Sequence, residues 1–311
     1  MLNFTGEIAT RWREFSPAPL QGIQLLDGSS SLKMLRLDLI TSWATGNKYF
    51  KLKYVLHEAL TSGIERIVSK GGMFSNHLAA LSEACLAFNI HLVTVIRSHV
   101  RDEMNPSIQR LRAHEHEILY LPPSDYKSFD SGDAERLFPG SLFIPEGGLS
   151  TAGIKGTSEI MQSCLECNPS HIIVAGGTMG TACGIVAAAP ASVKVIIVPA
   201  WKGCTYSYFT EILNKFEVHP ACTWDIWPDY HFGGFGKFNH DLIEFMIQFT
   251  RDTGIPLDPV YNGKVMYAID DKMRSGFFND NDSIIALHTG GMQGLEGFKY
   301  RFPEEWGRYQ P

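Results

Sequence analysis

Short apolar runs alternate along the chain with longer segments in which apolar residues recur every three or four positions. The short runs are rich in Ile and Val and predict strands, whereas the longer spacing predicts amphipathic helices. In the first half of the chain, strands are predicted at residues 64–68, 90–96, 118–121 and 142–144, and helices at 76–88 and 106–115. This alternation is typical of α/β proteins with parallel sheets. We expect this part of the chain to form a compact domain of its own.

A second series of strands and helices follows and predicts a larger domain. Its strands, at residues 171–175, 194–198 and 283–287, are apolar throughout and are therefore expected to be buried on both faces. Helices are predicted at residues 156–167, 182–189, 240–250 and 265–275. The 311 residues give the chain the length of about two domains.

The composition is that of an ordinary globular protein. A hydrophobic share of 44% and a charged share of 19% exclude disordered, collagen-like and disulfide-scaffold proteins. Lys and Arg number 27 against 33 Asp and Glu, and the resulting net charge of -6 argues against a nucleic-acid binder.

No transmembrane segment is predicted, because Pro190 and Lys194 interrupt the longest nearly uncharged apolar stretch, residues 183–201. The protein is predicted to be cytoplasmic, because its N-terminus carries charges where a signal peptide would be apolar. These charges are Glu7, Arg11, Arg13 and Glu14. Cys164 and Cys167 lack a second pair of metal ligands, so two thiols on a helix are favoured over a zinc or redox site, and no metal is predicted.

Four glycine-containing segments lie at predicted strand-to-helix junctions, where open α/β sheets bind ligands. The first is Gly46-Asn47-Lys48, followed by Lys51 and Lys53, and a solvated helical face is the plain alternative for these lysines. The second runs from Gly71 to His77 and places Ser75 and Asn76 where a helix begins. Taken alone, this segment is a helix N-cap.

The third segment, Gly176 to Thr181, is called here the glycine loop and lies between a predicted strand and a predicted helix. Amides that converge at a helix N-terminus favour an anion such as phosphate. The loop matches neither the P-loop nor the dinucleotide fingerprint. In the fourth segment, His288 precedes Thr289-Gly290-Gly291 and fits a hydrogen-bonded core residue as well as a catalyst.

Residues 225–238, called here the aromatic segment, combine Trp, Tyr and Phe with Gly and show no clear period. A loop is therefore predicted. It either contributes to a pocket or covers the core, and on its own the second interpretation is favoured.

Taken in order, these segments resemble the family of 1-aminocyclopropane-1-carboxylate deaminases and D-cysteine desulfhydrases, which are pyridoxal-phosphate enzymes of the tryptophan-synthase β fold. Two further stretches carry the resemblance, Ile144 to Gly148 (Ile-Pro-Glu-Gly-Gly) and Asp258 to Lys264 (Asp-Pro-Val-Tyr-Asn-Gly-Lys). The resemblance implies an α/β protein of fold type II with two open twisted sheets. A small domain is then expected at residues 49–149 and a large cofactor-binding domain at residues 1–48 and 150–311, in a homodimer.

The resemblance also implies roles for individual residues. Lys48 is implied as the Schiff-base lysine for pyridoxal 5'-phosphate, with Asn76 at the phenolic oxygen of the cofactor. Further cofactor contacts are implied for Gly176, Gly177, Thr178, Met179, Gly180, Thr181 and Thr289. Because the glycine loop contains no basic residue, we expect backbone amides to hold the phosphate.

Catalysis is implied for Lys48, Ser75 and Tyr261, and substrate contacts for Ser75, Asn76, His77 and Tyr261. Carboxylate binding, proton relay and base remain undivided between Ser75 and Tyr261. The chain also departs from the family pattern: the Lys-Arg-Asp-Asp stretch is reduced to Leu35-Arg36-Leu37-Asp38, and Phe50 stands where Arg is usual. A second pocket tyrosine has no clear match, with Phe235 and Tyr230 as alternatives.

The leading hypothesis for function is elimination of a β-substituent from a small amino acid, D-cysteine above all, to give pyruvate, ammonia and sulfide. The alternatives are ring-opening deamination of the cyclopropane amino acid and a non-catalytic protein that binds a phosphate ligand. The deaminases carry Glu and Leu where Asn262 and Thr289 stand here. Without a carboxylate beside the ring nitrogen, we expect expulsion of thiolate over ring opening, unless both residues only satisfy neighbouring backbone groups.

Overall fold

A computed structural model describes residues 10, 16–24, 31–40 and 42–309, which fold into two sheets flanked by helices. The larger sheet has the strand order β1-β2-β10-β7-β8-β9, and only the edge pair β1 and β2 is antiparallel among the strands described. Its strands are β1 Leu20–Ile23, β2 Ser31–Arg36, β7 His171–Gly176, β8 Lys194–Pro199, β9 Thr223–Ile226 and β10 Ser283–His288.

The smaller sheet is parallel throughout and has the strand order β5-β4-β3-β6. Its strands are β3 Arg66–Gly72, β4 His91–Arg97, β5 Glu117–Leu121 and β6 Leu142–Ile144. Two sheets of this kind confirm the predicted fold class. The domain boundaries near residues 48 and 149 remain a prediction.

The helices connect the strands and cover both sheets. In chain order they are α1 Asn47–Thr61, α2 Asn76–Ala87, α3 Pro106–Ala113, α4 Pro123–Ser128, α5 Ser131–Leu137, α6 Thr151–Ser158, α7 Ile160–Leu165, α8 Gly180–Ala188, α9 Tyr206–Lys215, α10 His240–Thr253, α11 Asn262–Arg274, α12 Gly294–Arg301 and α13 Pro303–Tyr309.

One predicted helix, residues 156–167, is wrong in its bounds, because the chain forms α6 and α7 on either side of Glu159. The start of α6 escapes prediction because glycines replace the apolar residues that would mark a helical period. Gly156 allows close packing instead: a Cβ there would lie 1.8 Å from the carbonyl oxygen of Phe50 on α1. The predicted loop at residues 225–238 includes the end of β9 and a 3-10 turn at Pro228–His231.

Core residues of the larger sheet alternate between its two faces, as the period of a strand requires. Ile172 and Val174 of β7 pack on one face, whereas Ile173 and Ala175 pack on the other. The first of these apolar clusters also contains α1 and residues of the smaller sheet such as Ile67. Helix α1 therefore lies between the two sheets.

None of the helices in the described part of the chain combines the length and the apolar composition needed to cross a bilayer. The charged N-terminal residues Glu7, Arg11, Arg13 and Glu14 lie outside the described residues.

Candidate active site

The site lies where the carboxyl ends of three neighbouring parallel strands, β2, β10 and β7, meet at one edge of the larger sheet. The start of α1 packs against the turn that follows β10. The amide of Asn47 donates to the carbonyl of Thr289 at 3.0 Å. Gly46 has a positive φ of 66°, and a Cβ there would lie 2.4 Å from the same carbonyl oxygen, so this close approach requires glycine.

Lys48 is consequently held at this edge. Its Nζ donates to Oδ1 of Asn47 at 2.7 Å. Burial lowers the pKa of the Lys48 ammonium to about 8, against a smaller raising effect of Asp258. A useful fraction of neutral amine is therefore present near neutral pH, which is what a lysine nucleophile requires.

The glycine loop follows β7 and lies beside the first turns of α1. Met179 has a positive φ of 65°, which is uncommon for a residue with a side chain and turns the chain into α8. In the described part of the chain, no backbone carbonyl outside this helix accepts a hydrogen bond from the amides of residues 177–180. Because the first amides of a helix also lack partners within it, the loop offers several free donors to an anion.

Two further segments meet the glycine loop. Asn47 Nδ2 donates to Oγ1 of Thr181 at 2.8 Å. Gly147, from the Ile-Pro-Glu-Gly-Gly stretch, has a positive φ of 67° and would carry its Cβ only 2.5 Å from Oγ1 of Thr178. The structure thus brings together three segments whose ends, Asn47 and Thr181, lie 134 residues apart in the sequence.

Lys51 lies next to the loop and was missed by the sequence analysis. Its side chain is buried, with an exposure of 4%, so a solvated helical face is the wrong interpretation for this lysine. Its Nζ donates to the carbonyl of Gly147 at 2.9 Å and would lie 3.4 Å from a Cβ on Gly180. Burial, and secondarily Lys48, hold its pKa well below the usual value. The sequence feature that could have identified Lys51 is its position three residues after Lys48, on the same face of the helix.

Tyr261 packs against the other side of the loop, where a Cβ on Gly177 would lie 3.1 Å from its ring. Its amide donates to the carboxylate of Asp258 at 2.7 Å. Burial, assisted by the charges of Asp258 and Glu146, raises the pKa of the Tyr261 phenol. Tyr261 is therefore a neutral hydrogen-bond donor at neutral pH and a poor base.

Asn262 uses its whole amide to connect the start of α11 with the turn after β10. Its Nδ2 donates to Asp258 Oδ2 at 2.6 Å and to the carbonyl of Gly290 at 2.9 Å. Its Oδ1 accepts from the amide of Thr289 at 2.9 Å and from the Thr289 hydroxyl at 3.2 Å. For Asn262, these contacts favour the interpretation that its amide satisfies the hydrogen-bonding groups of its neighbours. Among the described residues, none donates a hydrogen bond to the hydroxyl oxygen of Thr289.

Asn76 reaches the same turn from the smaller sheet. Its amide lies between Gly291 and Gly294, where added Cβ atoms would lie 2.5 Å from Nδ2 and 2.9 Å from Oδ1. Ser75, by contrast, acts as the N-cap of α2 and accepts from the amide of Leu78 at 3.3 Å. In the described part of the chain, its hydroxyl makes no hydrogen bond with Lys48 or Tyr261.

His77 is buried behind these residues. Its Nε2 lies 2.9 Å from the hydroxyl of Ser69, which donates its own proton to the carbonyl of Ile144 at 2.8 Å. His77 therefore carries its proton on Nε2, and its Nδ1 has no hydrogen-bond partner among the described residues. Burial, together with the charges of Lys48 and Lys51, lowers the pKa of His77 to about 3 and keeps the ring neutral.

The aromatic segment adds Phe235, whose ring centre lies 6.3 Å from that of Tyr261. Tyr230 points elsewhere and donates to Asp271 Oδ2 at 2.5 Å. Of the two alternatives for a second aromatic residue beside Tyr261, the structure therefore places Phe235 there.

The residues present fit pyridoxal phosphate. The partly buried Lys48 amine suits the aldehyde of the cofactor, since its pKa is lowered. The free amides of residues 177–180 suit a phosphate dianion, and so does the neighbouring Lys51 amine, which such a dianion would hold protonated.

Comparison with known proteins agrees with this fit. The D-cysteine desulfhydrase of Salmonella choleraesuis (strain SC-B67) is 26% identical over 90% of this chain and 93% of that protein. A candidate 1-aminocyclopropane-1-carboxylate deaminase of Pyrococcus horikoshii is also 26% identical, over 83% of this chain and 84% of that protein. The solved structure of an ACC deaminase homologue superimposes with a TM-score of 0.78 at 23% identity, covering 93% of this chain and 94% of that chain.

A fungal L-serine ammonia-lyase from Rhizomucor miehei shares the fold at a TM-score of 0.67 and 12% identity, covering 95% of this chain and 99% of that chain. The sequence profile described as pyridoxal-phosphate dependent enzyme matches residues 24–290. That match spans most of the chain, and the protein belongs to the family of pyridoxal-phosphate dependent enzymes.

Proposed function

We propose that the protein is a lyase that uses pyridoxal phosphate to eliminate the β-substituent of a small amino acid. The favoured substrate is D-cysteine, which reacts with water to give pyruvate, ammonia and hydrogen sulfide. The observation that carries the proposal is the partly buried Lys48 amine, oriented by Asn47, whose side chain also contacts the helix that begins at a loop of free amides. The similarity to the Salmonella D-cysteine desulfhydrase over nearly the whole chain supports this choice of substrate.

The residues that would hold the cofactor follow from their positions. Lys48 would bind its aldehyde, and Asn76, which adjoins the turn after β10, its phenolic oxygen. The amides of residues 177–180, the hydroxyls of Thr178 and Thr181 and the Lys51 ammonium would bind its phosphate. Thr289 would face its ring nitrogen. When bound, pyridoxal phosphate supplies the electron sink that stabilises a carbanion at the α-carbon.

The proton transfers are assigned from the shifted pKa values. Lys48, once released by the incoming amine, is the base for the α-proton, because a pKa of about 8 leaves part of it neutral at neutral pH. Tyr261 keeps its proton, since burial raises the pKa of its phenol, and acts as a donor in the site. Ser75 uses its lone pair as a helix cap, which leaves its proton for the substrate carboxylate.

The test is product analysis with a panel of D- and L-amino acids on purified enzyme saturated with cofactor. We expect sulfide and pyruvate from D-cysteine in equal amounts, and no product from Lys48→Ala. A wild-type enzyme that releases no sulfide from either cysteine enantiomer, or that acts first on the cyclopropane amino acid, would refute the proposed reaction.

We also propose that the enzyme works as a homodimer in the cytoplasm, as the family resemblance implies. Light scattering coupled to size-exclusion chromatography gives the mass directly. A single 34.7 kDa species at working concentration would contradict the dimer.

A further inference from the structure

Lys264 is a buried lysine that the proposed reaction does not use. It lies one helical turn after Tyr261 on α11, with an exposure of 1%. Its Nζ donates to three carbonyls: Ala200 at 3.1 Å, His231 at 2.8 Å and Gly234 at 2.9 Å. An ammonium has three protons, so all of them are engaged. The Lys264 side chain therefore stabilises backbone conformation and is not available to attack a substrate.

Two of those carbonyls belong to the aromatic segment, and a second cation holds a third carbonyl of the same stretch. Arg301 on α12 donates from Nη2 to the carbonyl of Gly236 at 3.1 Å. Its guanidinium also lies 5.2 Å from the ring centre of Phe74, which immediately precedes Ser75. Arg301 thereby connects the aromatic segment with the loop that begins α2.

The stretch between these anchors has little regular structure of its own. Gly233, Gly234 and Gly236 all have positive φ values, of 94°, 126° and 62°. Such a glycine-rich turn has high conformational entropy when it is free. Its own backbone bonds include those from the amide of Gly234 to the carbonyl of His231 at 3.0 Å and from the amide of Lys237 to the carbonyl of Gly234 at 3.1 Å, and we expect the two cations to supply much of the remaining restraint. Phe235 lies between two of the anchored glycines, and its ring is directed toward Tyr261 although it is 52% exposed.

We propose that Lys264 and Arg301 are positioning residues that anchor residues 231–236 and thereby fix Phe235 beside Tyr261 as the pocket wall that limits the size of the β-substituent. This inference rests on the proposed function for the nature of the substrate. The anchoring itself rests on the carbonyl contacts alone. Lys264 and Arg301 can position this pocket wall without contacting the substrate.

The first test measures the anchoring without substrate, by hydrogen exchange and mass spectrometry on enzyme saturated with cofactor. In Lys264→Met, peptides covering residues 228–238 are expected to exchange about tenfold faster, because hydrogen bonds from a charged donor are lost. Arg301→Met should act in the same direction at a more exposed position, and Arg301→Lys should partly restore protection. Unchanged exchange in this region in both methionine variants would overturn the proposal.

Lys70 offers a matched control. Its Nζ also donates to two backbone carbonyls, Tyr126 at 3.0 Å and Phe129 at 2.6 Å, but it does so on the smaller sheet. Lys70→Met should leave exchange at residues 228–238 and the Michaelis constants unchanged. An equal effect of Lys70→Met on the aromatic segment would indicate general loosening and contradict a local anchor.

The second test separates a pocket wall from a merely structural loop. In Arg301→Met and Lys264→Met, KM for D-cysteine should rise about tenfold with a smaller change in kcat, and S-methyl-D-cysteine should be accepted better relative to D-cysteine. If hydrogen exchange becomes faster but the preference for S-methyl-D-cysteine over D-cysteine stays unchanged, Phe235 does not limit the size of the substrate, although Lys264 and Arg301 still anchor the segment. If the wild type releases no sulfide from D-cysteine, the proposed function fails, whereas the exchange result still decides the anchoring. The ratio is then measured with the substrate that the panel identifies and its S- or O-methylated analogue.

Discussion

Asn47 donates from Nδ2 to Oγ1 of Thr181 at 2.8 Å and so joins the first turn of α1 to the first turn of α8. The same amide accepts from Lys48 Nζ through its oxygen, at 2.7 Å. One buried side chain therefore orients both the amine that would bind the aldehyde and the helix whose start would bind the phosphate. In the sequence, only its position in Gly46-Asn47-Lys48 distinguishes Asn47 from other asparagines.

Replacing Asn47 by Asp should impair cofactor capture at neutral pH. The carboxylate cannot donate to Thr181, and its charge beside Lys48 favours the ammonium form and raises the Lys48 pKa. A rise of one pKa unit lowers the neutral amine fraction at pH 7 about tenfold. The measurement is the rate at which the visible absorption band grows when pyridoxal phosphate is added to apoenzyme. Asn214→Asp, at an exposed position on α9, adds the same charge and should leave this rate unchanged.

The rate of cofactor capture by the wild type should itself depend on pH. The Lys48 pKa is lowered to about 8, so the reactive neutral amine accumulates as pH rises and saturates above that value. Below pH 8 the rate should fall about tenfold per pH unit. Borohydride trapping followed by peptide mapping identifies the lysine. Label on Lys51 would contradict the assignment: its pKa is lowered as well, but its Nζ is held by the carbonyl of Gly147.

Removing the Lys51 ammonium should weaken cofactor binding. Lys51→Met deletes a buried amine beside Gly180, where a phosphate dianion would lie and hold that amine in its ammonium form, and the dissociation constant of pyridoxal phosphate should rise about tenfold or more. Lys53→Met is the matched control, because Lys53 is on the same helix but pairs with Glu159 at 2.5 Å. Equal dissociation constants for the two variants would argue against a phosphate site at this position.

Filling the glycine loop should have a similar effect without unfolding the protein. Gly180 has no positive φ, and its added Cβ would meet only Leu149 and Lys51 at 3.4 Å, so Gly180→Ala is tolerated locally. The new methyl group would lie between the loop and the Lys51 side chain, where the phosphate is expected. We expect loss of cofactor affinity with a small change in Tm, measured by titration and by thermal melting. Full cofactor affinity in this variant would place the phosphate elsewhere.

The elements that the sequence predicts best are those whose pattern is local. Strands β7, β8 and β10 are apolar on both faces, and each is found close to its predicted bounds. Strand β2 was missed because Lys33 and Arg36 interrupt its apolar pattern, and β9 because its four residues include Asp225.

The site was predictable only in part, for a related physical reason. Its glycine segments follow strands and keep the order of the family, which the sequence displays. Lys51 and Asn47 acquire their roles from partners about a hundred residues away, Gly147 and Thr181, and no local periodicity encodes such contacts. The enzyme identity expected from the resemblance is confirmed by the family match, whereas the roles of all the predicted site residues, Lys48 and Tyr261 included, remain predictions.

The choice between eliminating thiolate and opening the cyclopropane ring should depend on Thr289. A carboxylate near the ring nitrogen would keep that nitrogen protonated and strengthen the electron sink. Asn262 cannot be exchanged for Glu to test this cleanly, because its amide lies 2.6 Å from Asp258, and a second carboxylate there would repel the first. Thr289→Asp keeps the bond from Asn262 to Asp258 but loses the bond from the Thr289 hydroxyl to Asn262 Oδ1. Thr289→Val loses the same bond with little change of shape and is therefore the matched control.

We expect the wild type to prefer D-cysteine over the cyclopropane amino acid by about a hundredfold in kcat/KM, the discrimination that a single pocket difference usually provides. Thr289→Asp should shift this ratio toward ring opening, because the carboxylate compensates the pyridinium charge. Thr289→Val should not shift it, because it adds no charge. Both variants are compared at equal cofactor occupancy, read from the visible band. A wild type that opens the ring as efficiently as it releases sulfide, or a Thr289→Asp enzyme with an unchanged ratio at full occupancy, would show that another group controls the ring nitrogen.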